Sequence, residues 1–154
     1  MRKLRMKVLA RDTFYHTMNR LFRYRKDEKN VFDKEDKKYF VNLMTKLTDY
    51  FNVEISSYCI MSNHYHIIFK QKCELLSRPD ATRRYNEYYQ DLKKPKILEY
   101  KGDKDTLPYM LVEIDNTRER MRDMSEFMKV LQQAFTTWYN RRHDRFGTLW
   151  ADRF

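Results

Sequence analysis

Residues 13–22, TFYHTMNRLF, concentrate β-branched and aromatic side chains and predict a first strand. Polar residues follow until Asp33, which is placed to cap a helix running to about Phe51. Within that span Phe40, Leu43, Met44, Leu47 and Phe51 stand at i, i+3, i+4, i+7 and i+11, one stripe of a helical period. VEISSYCI (53–60) predicts a second strand and HYHIIFK (64–70) a third. The polar turn MSN (61–63) joins them into a hairpin. From 71 to 118 the periodicity weakens. Tyr85, Tyr88, Tyr89 and Leu92 suggest a short amphipathic helix among prolines, one glycine and many charges, and the stretch reads as an insertion or lid. A last helix is expected from near Ser125 to about Arg142, burying Phe127, Leu131, Ala134, Phe135 and Trp138. After Gly147, TLWADRF predicts the start of another strand.

The order is β-α-β-β-(insertion)-α-β. One antiparallel sheet with both helices on one face satisfies it. This is an α+β, ferredoxin-like (RRM-like) fold with a charged, mainly helical insertion. A length of 154 residues suits one domain over 1–154. Two glycines and three prolines leave little room for linker.

Charge narrows the choice of partner. Lysine and arginine total 32 against 22 acids, a formal net charge of +10. Residues 1–26 carry nine of those bases (Arg2, Lys3, Arg5, Lys7, Arg11, Arg20, Arg23, Arg25 and Lys26) and one acid, Asp12. Such an arm attracts polyanions, nucleic acid first among them, although a solvated tail has the same composition. Lys129, Arg141, Arg142 and Arg145 add candidate phosphate contacts near the end of the last helix. Aromatics make up 16% of the chain and could stack on unpaired bases, though most stand at core spacing. Cys59 and Cys73 form no CxxC pair, so a zinc knuckle is not indicated, and two isolated thiols fit a cytoplasmic protein. No apolar run approaches the roughly 18 residues of a membrane span.

The sharpest chemical feature is His64 and His66. Residues two apart on a strand point to one face, so both imidazoles can converge on one ion, with Tyr65, Ile67 and Phe69 facing the other way. The same spacing also describes an ordinary polar face. His16 on the first strand is a third candidate, and a histidine bonded to backbone is its bland counterpart. Glu54 alternates with Ser56 and Tyr58 on the hairpin partner. Either Glu54 or a group outside this chain could complete the ligand set. Gln132 or Gln133 could face the sheet, and Tyr139 and Asn140 share their helix. None of the twelve tyrosines is singled out as a nucleophile by position. GxGxxG, GxxxxGK[ST], HExxH and GxSxG are all missing, so nucleotide hydrolysis and serine hydrolysis have no support.

MSNHYHIIF (61–69) resembles the HUH signature of the REP-associated tyrosine transposases, relatives of the smallest single-tyrosine insertion-sequence transposases. YHTMNR (15–20) is similar to the family's first strand, and SEFMKVLQQAFTTWYNRRHDRFGTLWADRF (125–154) to its F-x-x-W-Y-N-R-R helix and G-x-L-W-x-x-R-F strand. The resemblance implies a ferredoxin-like palm and single-stranded or stem-loop DNA as partner. It implies a divalent metal, magnesium or manganese, on His64 and His66. Asn63 would shape the turn into that strand. A tyrosine would attack the scissile phosphate, giving a 5′-phosphotyrosine link and a free 3′-hydroxyl. In the family that tyrosine follows the W-x-x-R-F strand, so it is expected beyond Phe154, and Tyr139 is not at its position. The family allows monomers or homodimers. The reading is therefore a DNA transposase. The alternative is a catalytically inactive nucleic-acid-binding module with an RRM-like sheet, and a plain interaction domain ranks third.

Overall fold

The structure is a computed structural model that describes residues 8, 10–22, 31–92 and 97–152. The first strand, β1 (Thr13–Arg20), leads across to helix α1 (Lys34–Tyr50). Asp33 starts that helix as expected. Its side chain accepts from the Asp36 backbone N–H at 2.8 Å, and Asp36 accepts from the Asp33 N–H at 2.9 Å, a reciprocal capping box. Phe40, Met44, Leu47 and Phe51 of the expected stripe are buried, and Leu43 packs against their edge. Each such side chain removed from water contributes about 2 kcal/mol. At the helix C-terminus the Arg84 guanidinium donates to the carbonyls of Thr48, Asp49 and Phe51, which have no partner inside the helix.

β2 (Val53–Ile60) and β3 (His64–Gln71) form the hairpin, with Met61 N–H donating to the His64 carbonyl at 2.8 Å across the turn. β3 lies in the middle of a three-stranded antiparallel sheet of order β1-β3-β2. Opposite His64, Tyr65, His66, Ile67, Ile68, Phe69 and Lys70, β1 places Arg20, Asn19, Met18, Thr17, His16, Tyr15 and Phe14. On β2, Glu54 faces Lys70 and Ile55 faces Phe69, after which a bulge at Ser56 shifts the register. Ser57 then meets Ile68, Tyr58 meets Ile67, Cys59 meets His66 and Ile60 meets Tyr65.

The two sheet faces differ sharply. Tyr65, Ile67 and Phe69 are fully buried against Phe40, Phe127, Phe135 and Trp150. The helices α1 and α4 (Met124–Arg142) cover that face, and α4 begins at Met124, capped by Asp123. No described helix covers the other face, and its Phe14, Met18 and Ile68 are exposed.

Two expectations need correction. The stretch 71–118 is more regular than its sequence suggests. α2 (Arg78–Asp91) is capped by Ser77, and α3 (Pro108–Arg122) runs past the expected boundary at 118. α3 was hidden because it buries only Ile114, Thr117 and Met121, while Tyr109 and Val112 stand in solvent and blur the stripe. It is held by charge as well as packing. Arg78 of α2 donates to both carboxylate oxygens of Asp115, at 3.0 and 2.6 Å, and Arg118 adds a further bond at 2.7 Å.

The expected last strand is one bridge. Leu21 pairs with Trp150 at the free edge of β1, where the Phe22 N–H donates to Leu149 and the Ala151 N–H to Arg20. This is the place of the fourth strand in a ferredoxin-like sheet. Beyond it the Asn19 side chain bonds both backbone groups of Asp152, replacing the next ladder step. Gly147, at φ 85°, turns the chain back from α4 toward that edge.

Candidate metal and nucleic-acid site

The open face of the sheet gathers three histidines. His64 and His66 stand side by side on β3, ring centroids 5.2 Å apart and nearly perpendicular. Their neighbour Tyr65 is fully buried on the opposite face, and that anchor fixes which way the pair points. Its hydroxyl is held in the core by Gln132, which donates from Nε2 at 2.6 Å. Gln132 is thus the glutamine that faces the sheet. It bonds a tyrosine under the histidines and does not reach them. Gln133 lines a groove along α4 with Lys129, Thr137 and Asp152.

His16 arrives from β1. Its Nε2 lies 2.9 Å from Nδ1 of His66, a hydrogen bond between imidazoles, with the ring centroids 5.1 Å apart. The structure therefore brings His16 to the pair, and its partner is a side chain and not backbone. His64 is held in turn. Its Nδ1 lies 2.8 Å from Oδ1 of Asn63, whose carbonyl accepts from the Leu21 N–H at 2.8 Å. Asn63 thus shapes the turn and also grips the first histidine. Arg20 is exposed across from His64 on the same face.

The donor set can hold a divalent ion. Imidazole suits borderline divalent metals, and a ligating histidine normally has its second nitrogen hydrogen-bonded. Here both histidines of the pair have that second bond at Nδ1. Glu54 is not placed to help, because it faces Lys70 at the far end of β3. The bulge leaves Cys59, with Tyr58 turned to the other face, across from His66. By the same register Tyr15 and Tyr65 share the far face. Tyr139 is buried, donates to the Val31 carbonyl at 3.3 Å, and has its phenol pushed up by burial and by the nearby Asp36 carboxylate. Among the described residues no tyrosine shares the histidine face.

A second polar cluster went unseen in the sequence. Asp33, Asp36 and His143 bring one ligand atom each within 4.8 Å of one another. Asp36 is fully buried and bonds Arg142 at 2.6 Å and His143 at 2.9 Å, while Asp33 bonds Arg142 at 2.8 Å. The Arg142 guanidinium already occupies both carboxylates, so this cluster is a clamp between the start of α1 and the end of α4. The Asp-x-x-Asp cap was legible, and the arginine that reaches it from 106 residues away was not.

The remaining basic candidates are scattered. Lys129 pairs with Glu126 at 3.5 Å, Arg145 lies over the Tyr139 ring at 5.9 Å, and Arg141 is exposed. Arg2, Lys3, Arg5, Lys7, Arg23 and Arg25 lie outside the described residues. No described helix is long and apolar enough to cross a membrane.

Residues 13–78, which span β1 to the start of α2, match the family model described as "Transposase IS200 like". No curated protein and no solved structure matches the chain significantly.

Proposed function

From the match of residues 13–78 to the IS200-like transposase model, we propose that this chain is a transposase of that kind, binds single-stranded or stem-loop DNA and takes part in strand cleavage and rejoining at the open face of its sheet. The observation that carries this reading is the pair His64 and His66, half-buried side by side on the open face of β3 inside the matched segment, each with Nδ1 already bonded. In this reading the two histidines hold a divalent ion, magnesium or manganese. Such an ion, when bound, polarises a scissile phosphate and neutralises charge as it builds up.

The chain's own residues do the rest. Asn63 and His16 hold the two rings in place. Arg20, across from His64, offers a guanidinium to an approaching phosphate. Phe14, Met18 and Ile68 give a dry platform beside the histidines on which an unpaired base can rest. In the transfer step a tyrosine oxygen bonds to phosphorus as the bond to O3′ breaks. The phenolic proton ends on the departing O3′, which leaves as the 3′-hydroxyl. The basic residues Arg2, Lys3, Arg5, Lys7, Arg23, Arg25, Lys129, Arg141 and Arg145 supply attraction to the DNA backbone. Arg142 contributes less to that attraction, since two carboxylates neutralise it.

The test is binding of a labelled stem-loop DNA across a salt series, with manganese and then with excess chelator. Salt-dependent binding with a metal-dependent part, lost in His64→Ala/His66→Ala, is the expected result. A covalent adduct, mapped by mass spectrometry, would name the tyrosine. Absence of any DNA binding would sink the proposal. The exposed Phe14, Met18 and Ile68 favour a second reading, a binding module with an RRM-like sheet. Binding indifferent to chelator and to the double substitution would establish it.

A further inference from the structure

The two histidines of the pair are held in the same way, by different devices. An amide Oδ1 can only accept, so the bond from Asn63 places the proton of a neutral His64 on Nδ1 and leaves Nε2 with its lone pair. The bond between His66 Nδ1 and His16 Nε2 allows two arrangements. If His66 donates, its Nε2 is a ligand, matching His64. If His16 donates, the His66 Nε2 carries a proton and cannot ligate.

We infer that His16 is a positioning residue whose Nε2 accepts from His66 Nδ1–H and so fixes the His66 tautomer for metal binding, as Asn63 does for His64. This deepens the metal reading above and rests on it. Three features carry it. The 2.9 Å contact uses Nδ1 of His66, the nitrogen equivalent to the one Asn63 engages on His64. His16, His64 and His66 do not bring three nitrogens within 4.8 Å of one another, so His16 is not placed as a third ligand. No described group other than His16 bonds His66 through its side chain, so nothing else competes to set the tautomer. His16 is exposed on an edge strand, and its substitution leaves the core untouched.

Two measurements test it. The first is a long-range ¹⁵N–¹H correlation spectrum of the metal-free protein in mildly alkaline buffer, which reads the tautomer of each neutral imidazole. Wild type is expected to show His64 and His66 both protonated at Nδ1. His16→Ala shifts His66 toward the Nε2–H form and leaves His64 unchanged, while Asn63→Ala does the reverse. The second is titration with cobalt(II), followed by its ligand-field absorption. Loss of a second-layer partner of a metal ligand costs about 10- to 100-fold in affinity. His16→Ala should fall in that range, while His16→Gln, whose Oε1 can still accept, should recover most of the affinity with an unchanged spectrum.

A wild-type His66 protonated at Nε2, or a His16→Ala protein that binds cobalt as tightly as wild type, would overturn the inference. So would a spectrum that loses intensity in His16→Ala and is not restored by Gln, since that marks a direct ligand. If the wild-type protein binds no ion at all, the metal reading falls, and the tautomer spectrum alone decides the role of His16.

Discussion

Two clusters in this molecule collect metal-ligating side chains, and they are built on opposite principles. The Asp33–Asp36–His143 group is the tighter one by distance, yet Arg142 lies inside it and Asp36 is sealed from water. Its charges are already matched, and it joins two helices. The His16–His64–His66 group is looser. His16 is exposed and His64 and His66 are half-buried, no described carboxylate pairs with them, and the hydrogen bonds of His64 and His66 engage Nδ1 only. Proximity of ligand atoms alone therefore does not make a binding site. A site needs lone pairs that the fold has left unclaimed.

The comparison can be broken from either side. Asp36→Ala should lower unfolding stability by about 3 kcal/mol in denaturant titration, because Arg142 and His143 lose a buried partner. It should leave divalent-ion affinity unchanged. A fall in ion affinity in that variant would show that the clamp, not the open face, is the metal centre. His64→Ala/His66→Ala should behave inversely. It should lose roughly 100-fold or more in manganese affinity, read by calorimetry, while stability moves far less than in Asp36→Ala, since neither ring belongs to the buried core.

Tyr65→Phe probes the floor beneath the histidines. It strands the Gln132 amide in the core, at a cost of about 1–2 kcal/mol in thermal unfolding. Ion affinity should change little, since the backbone of β3 is still fixed by Ile67 and Phe69. A large loss of affinity would mean that the Gln132–Tyr65 bond tunes the site directly.

The smallest effect is a pH dependence in the other closed cluster, between α2 and α3. The Arg78 and Arg118 guanidiniums hold the Asp115 carboxyl down at about 2, against partial desolvation. A depressed carboxylate stabilises the fold above its unfolded pKa and loses that contribution as pH falls through the folded value. The melting temperature should therefore drop between about pH 4 and pH 2, and Asp115→Asn should flatten part of that drop. Among the described residues the open histidine face has no such carboxylate partner, so its substitution should leave this acid limb unaltered.

Much of this was legible in the chain, for identifiable reasons. The hairpin turn, the cap at Asp33 and the face carrying His64 and His66 depend on local spacing, and they stand where the sequence put them. Residues set by distant partners were opaque. Ser56 looked like an ordinary strand position until the bulge showed it to be the extra residue, which moved Tyr58 off the histidine face. The start of a fourth strand was expected after Gly147, but among the described residues it makes one bridge, and Asn19 then bonds the backbone of Asp152. α3 lacked a clean stripe because the ion pair of Asp115 with Arg78 of α2, and the Arg118 bond to the Leu76 carbonyl, share the work of holding it. Arg142 read as a surface cation and is half of a clamp.

The bulge at Ser56 has a practical corollary. It leaves Cys59 directly across from His66, and Cys59 is the exposed one of the two thiols. The native chain thus carries a labelling handle at the rim of the histidine face. A nitroxide attached there would be broadened by manganese arriving at the neighbouring imidazoles and left sharp by magnesium. Occupancy could then be followed in real time, and in the presence of DNA, without introducing a single foreign residue.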